Sequence, residues 1–229
     1  MNANILDIKQ YEKIPNFIAI EGPIGVGKTI LTKFLAESFG YKALLEETSD
    51  NPFLPDFYRN PSQNALATQL FFLFQRSKQL QAIKQRDIFE QRRVSDFLFD
   101  KDKLFAKVSL SSEEFKLYDQ IYDYLSLDLP TPDMVIYLQA ETKTLYRRIT
   151  SKGVSIEKNI SFEYLDLLNE TYKEFFFNYD RSPLLIVNSE HLELNSNQKE
   201  LDLLLHKLLE FFNNKEGSKT YFNPSETLI

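Results

Sequence analysis

Apolar residues recur along this chain with two alternating periods. Phe17-Ile18-Ala19-Ile20, Tyr41-Lys42-Ala43-Leu44-Leu45, Val94-Ser95-Asp96-Phe97, the run 132–138 and the run 183–187 are short stretches with the length of buried strands, the third being weakly apolar. Between them lie longer segments whose apolar positions repeat every three to four residues: 30–39, 62–83, 99–108, 111–125, 140–151, 161–178 and 198–212. Strands alternating with helices predict an α/β fold with a five-stranded parallel sheet and helices on both faces. Residues 1–212 then read as a single domain, and 213–229 as a polar tail, mobile unless Tyr221 and Phe222 dock. Within 62–83, Leu70-Phe71-Phe72-Leu73-Phe74 is apolar almost all round, which fits burial on several sides, a subunit interface included.

One junction in this pattern carries chemistry. Between the first strand and the first helix stands Gly22-Pro23-Ile24-Gly25-Val26-Gly27-Lys28-Thr29, with the spacing G-x-x-x-x-G-K-T. Glycines let the backbone N–H groups turn inward around phosphates, and the following helix N-terminus adds positive partial charge. Lys28 can reach the β and γ phosphates, and Thr29 offers a hydroxyl to Mg²⁺. The strand-loop-helix context makes this a P-loop NTPase fold with ATP and Mg²⁺ as expected ligands. The second strand ends at Glu46-Glu47, where carboxylates face the crevice in which α/β proteins bind ligands.

Composition removes several alternatives. The 229 residues include no cysteine, which excludes thiol catalysis, and only His191 and His206 among histidines, too few and too far apart for a histidine metal site. A net charge of −6 argues against a nucleic-acid polymer as partner. No apolar run approaches the length of a membrane span, and the N-terminus lacks a basic, apolar leader, so a cytoplasmic protein without a membrane partner is expected. The base-reading N-K-x-D of GTPases is absent, and a small-metabolite kinase fits better than a translocating ATPase.

Several ordered motifs extend beyond the loop: Glu21 to Thr29, Asn51-Pro52-Phe53-Leu54 with Phe57-Tyr58, Thr68-Gln69-Leu70-Phe71-Phe72-Leu73, Val94 to Phe99, and Pro132 to Leu138. Together they resemble the deoxynucleoside kinase family, its bacterial branch above all. The resemblance implies transfer of the γ-phosphoryl of ATP to the 5′-hydroxyl of a deoxyribonucleoside, usually in a homodimer. It puts the general base on Glu46, five residues before Asn51, with Glu47 as second choice, and the sugar 3′-hydroxyl contact on Tyr58, which also fits a loop aromatic packed on the core. Gln69 matches the glutamine that reads the base, and it falls among Leu66, Leu70 and Leu73, where a buried amide needs a partner. Phe72, Phe97 and Phe162 could stack on the base or belong to the core.

Two departures stand out. Where the family commonly has Asp/Glu-Arg-Ser, this chain has Ser95-Asp96-Phe97, so Asp96 becomes the candidate for Mg²⁺ or substrate, and the arginine is missing. Lys101 and Lys103 are the alternative sources of that charge, although exposed lysines on a helix are the simpler reading. In the lid, expected around 147–158, Arg148 and Glu157 fit the phosphate and sugar contacts, Lys152 is a partial substitute, and Val154 stands where arginine is usual. The expectation is a lid with fewer charges, leaving the P-loop and Arg148 to do more. A nucleoside monophosphate kinase, which would need Arg59 or Arg76 for the acceptor's phosphate, and a nucleotide-binding protein that has lost turnover remain as alternatives.

Overall fold

Ile18 and Ile20 pack to one side of the first strand and Ala19 to the other, and this period-two division organises the molecule. The structure is a computed structural model that describes residues 14–60, 63–86, 92–152, 157–192, 198–213 and 219–224. Strands β1 (Phe17–Glu21), β2 (Lys42–Leu44), β3 (Arg93–Ser95), β4 (Met134–Gln139), β5 (Leu184–Asn188) and β6 (Lys219–Phe222) form one parallel sheet in the order β2-β3-β1-β4-β5-β6. Eight α-helices occur among the described residues: α1 (Lys28–Phe39), α2 (Leu54–Arg59), α3 (Ala65–Arg86), α4 (Lys101–Ser109), α5 (Ser112–Ser126), α6 (Thr142–Lys152), α7 (Phe162–Asn178) and α8 (Gln198–Asn213).

Met134, Ile136 and Leu138 of β4 join Ile18 and Ile20 in a core closed by α1 and α8 through Leu31, Leu35, Leu204 and Leu208. Val135 and Tyr137 project to the opposite face, onto Leu168, Tyr172 and Phe176 of α7. Helices α3, α4 and α5 extend this second layer around Leu73, Leu80, Ala106 and Tyr118. The helices therefore cover both faces, as alternation in the sequence predicts.

The sheet has six strands where five were expected. Residues 219–222 of the supposed tail pair with β5, Ile186 opposite Tyr221 and Val187 opposite Phe222. Phe222 is buried while Tyr221 stays exposed, so one inward side chain holds a strand whose other residues are polar enough to hide it. Helix α3 starts at Ala65 rather than at 62 because Asn64 has φ 61°, a left-handed conformation that cannot continue a helix N-terminally. Asp133 accepts hydrogen bonds from the backbone N–H groups of Asn16 and Phe17, pinning the entry of β1 to that of β4. In α5 the capping box is formed by Ser111 and Glu114, in agreement with the acidic first turn read from sequence.

Strand β1 lies between β3 and β4, and the chain passes first to the β2–β3 side and later to the β4 side. This change of direction leaves a crevice at the C-terminal ends of β1 and β3.

Candidate active site

The loop after β1 is shaped by close approach of backbone to backbone. A Cβ at Gly22, whose φ is 150°, would stand 2.3 Å from the Leu138 carbonyl oxygen, so a side chain there would push β1 and β4 apart. Gly22, Pro23 and Val26 form the underside, with Val26 in the core. Ile24, Gly25, Gly27, Lys28 and Thr29 face a cleft of about 300 Å³. Lys28 Nζ donates to the carbonyls of Gly22 at 2.7 Å and Pro23 at 3.1 Å. Burial pushes its ammonium below the ordinary lysine range, against the opposing pull of Glu21, Glu46 and Asp96.

Across the cleft, two strand ends meet the start of α1. Leu44 and Ser95 are register partners, so Glu46 and Asp96 leave the sheet side by side. Thr29 Oγ1 donates to Asp96 Oδ2 at 2.7 Å, and the Glu46 backbone N–H donates to Asp96 Oδ1 at 2.8 Å. A hydroxyl beside a carboxylate at the start of α1 is a pair of hard oxygens suited to Mg²⁺.

Glu46 itself lies between two cations. Arg76 of α3 donates to its Oε1 through Nε at 2.7 Å and through a terminal nitrogen, while Lys101 of α4 reaches Oε2 at 2.9 Å. The same guanidinium forms an ion pair with fully buried Asp102. Burial alone would raise the Glu46 carboxyl, but Arg76 and Lys101 outweigh it and hold the group down at about 2. It is therefore an oriented carboxylate, ionised at every working pH. Glu47, the second choice, is exposed and donates nothing to this arrangement.

Tyr58, Gln69, Phe72 and Glu157 line the far side of the same cleft. Gln69 is 2% exposed, and its carboxamide has no hydrogen-bond partner among the described residues. Burial, with Tyr164, Glu157 and Glu46 nearby, raises the Tyr58 phenol well above its ordinary range, so it stays protonated. Arg76 lies over the Phe72 ring at 4.8 Å.

Three residues considered for the site are elsewhere. Phe97 packs in the α3–α5 core and does not line the cleft, and Ser95 Oγ bonds the Phe97 carbonyl where the chain turns inward after Asp96. Arg148, expected on donor phosphates, instead donates from one guanidinium nitrogen to the carbonyls of Ser189 at 2.7 Å, Glu190 at 3.3 Å and Leu192 at 3.1 Å. It thus fastens α6 to the turn after β5 and does not line the cleft. Phe162 packs edge-on against Tyr146, also away from the cleft. The side chain of Lys152 and the whole of Val154 lie outside the described residues.

Sequence reasoning passed over Phe105 and undervalued Arg76 and Lys101. Arg76 had a readable signal: Gln69, Phe72 and Arg76 stand at i, i+3 and i+7, one face of a helix. Lys101, read as exposed, is 2% exposed and faces the cleft. Its placement follows from Glu21, buried at the end of β1, whose carboxylate accepts from the backbone N–H groups of Gly22 and Leu98 and from the Tyr172 hydroxyl. That contact draws the segment before α4 onto the phosphate loop.

A parallel sheet with a phosphate loop after its central strand, and a fixed carboxylate facing that loop across a cleft, defines a P-loop kinase of small molecules. Residues 18–213 match the family model for deoxynucleoside kinase, and the chain belongs to that family. It is 39% identical to a deoxyguanosine kinase of Bacillus subtilis over 69% of this chain and 76% of that one. With a deoxyadenosine kinase of Lactobacillus acidophilus it shares 32% identity over 80% of this chain and 92% of the other. Among solved structures, deoxyadenosine kinase from M. mycoides with bound dATP is similar at a TM-score of 0.73 and 29% identity, covering 84% of this chain and 98% of that one.

Proposed function

We propose that this deoxynucleoside kinase transfers the γ-phosphoryl of ATP to the 5′-hydroxyl of a purine deoxynucleoside. The observation that carries the reading is Glu46, an ionised carboxylate fixed by two cations in the same cleft as the phosphate loop. A 5′-hydroxyl is a weak nucleophile, and its proton needs an acceptor as the new bond forms. Loop amides and Lys28 hold the donor phosphates, and the lid expected around 147–158 is assigned to the same donor. Thr29 and Asp96 would hold Mg²⁺, which neutralises phosphate charge when bound. Tyr58 and Glu157 fix the sugar.

Gln69 offers a donor and an acceptor side by side, complementary to a base edge, and its lack of a partner among the described residues supports that role. Relatives named deoxyguanosine kinase and deoxyadenosine kinase support a purine. A monophosphate acceptor is disfavoured by the charges it would need. Arg59 is exposed and paired with Asp56, and Arg76 is committed to Glu46 and Asp102.

The active species is a homodimer in this reading, joined over α3 and α5. Exposed Phe74 and Leu117 on these touching helices support it. A cytoplasmic location agrees with the absence, among the described residues, of any helix long and apolar enough to cross a membrane. Glu46→Gln tests the chemistry: turnover should fall about 10²–10⁴-fold while ATP binding is retained. Unchanged turnover would move the base elsewhere.

A further inference from the structure

Lys101 is placed where a merely structural lysine is disfavoured. It opens α4, whose first-turn N–H groups carry positive partial charge that repels a cation. Its side chain is almost fully buried, so its charge has lost most of its hydration. Arg76 serves Oε1 of Glu46 through two nitrogens, and Lys101 serves Oε2, a task that uses one of its N–H groups. Of the three N–H donors on the ammonium, one meets Glu46 Oε2, and the group faces the cleft near Lys28 and over the edge of Phe105. The guanidinium groups of Arg76 and Arg148 are engaged, the first with two carboxylates and the second, outside the cleft, with the carbonyls after β5.

We propose that Lys101 is a catalytic residue, holding Glu46 with one N–H and presenting another to the phosphoryl group in transfer. The proposal rests on the deoxynucleoside kinase reading above. In the step, the 5′-O–H proton passes to Glu46 and a bond forms from the 5′-oxygen to the γ-phosphorus. The bond from that phosphorus to the β,γ-bridging oxygen breaks, releasing the nucleoside diphosphate. Lys101 takes no proton in the step and stabilises charge on the equatorial oxygens, supplying a cation from α4.

The test is steady-state kinetics of wild type, Lys101→Met and Lys101→Arg with ATP·Mg²⁺ and deoxynucleoside, with thermal melting and binding of a non-hydrolysable ATP analogue on the same samples. Lys101→Met should lower kcat about 10²–10³-fold, leave KM for the deoxynucleoside within about threefold, and keep analogue binding, and arginine should recover at least about tenfold of the loss. A kcat within threefold of wild type, a loss confined to KM, or a loss that arginine does not recover overturns the proposal. Where the methionine protein melts below assay temperature, folded Lys101→Arg decides: kcat within about tenfold of wild type supports the role, and a deeper loss removes it. A wild type inactive on every deoxynucleoside would sink the kinase reading itself, and this inference with it.

Discussion

Glu46 shows how far a residue's role depends on its neighbours. Its carboxyl titrates near 4.5 in the unfolded chain and is held at about 2 in the folded one, so the fold gains stability from it above pH 4.5 and loses that gain as pH falls toward 2. Urea unfolding at pH 5 and pH 3 should therefore show a smaller drop for Glu46→Gln than for wild type; equal drops would mean the Arg76 and Lys101 contacts do not persist in solution. Arg148 makes the opposite case. Three carbonyl contacts make it a tie between α6 and the turn at 189–192. Arg148→Ala should lower the melting temperature by roughly 4–8 °C, the equivalent of about 2 kcal/mol, and change kcat less than tenfold. A collapse of kcat with unchanged melting would return it to the donor phosphates. The sequence could show that Glu46, Tyr58 and Gln69 were of the right types at the right spacing, but it could not show which way an arginine on a half-exposed helix turns. That depends on carbonyls forty residues away.

Elements were legible where one face is continuous and apolar, and illegible where a single side chain decides. The runs at 17–20 and 132–138 cover all but the last residue of the inner strands β1 and β4, because both are buried on both faces. Strand β6 escaped because its sequence, Lys219-Thr220-Tyr221-Phe222, buries only Phe222. Replacing Phe222 by alanine should cost about 3 kcal/mol in denaturant unfolding, since the ring fills the α1–α8 side of the core beside the β5 edge. A cost under 0.5 kcal/mol would mean that this strand does not contribute to the folded core. Helix α4 was legible over 99–108, but the burial of Lys101 was misread for a related reason. Lys101 and Asp102 look like a solvated helix start, and only the contact from Glu21 to Leu98, 77 residues apart, turns that start into the cleft.

At the scale of the whole molecule, the fold brings donor and acceptor machinery from five separated stretches to one crevice: the phosphate loop, Glu46, Tyr58, the face of α3 bearing Gln69, and Glu157. The sheet order forces this, since β1 and β3 end side by side where the chain reverses its direction of travel. Sequence alone recovered the alternation and the loop; it left open how the cations distribute, because their partners are long-range. The measurement that bears most directly on the account is a coupled phosphoryl-transfer assay with ATP·Mg²⁺, the four deoxynucleosides and their monophosphates, with Lys28→Ala as the blank. Turnover with deoxyguanosine or deoxyadenosine, absent from the blank and from the monophosphates, is the predicted result. Turnover with a monophosphate alone, or none with any acceptor while ATP still binds, would contradict it.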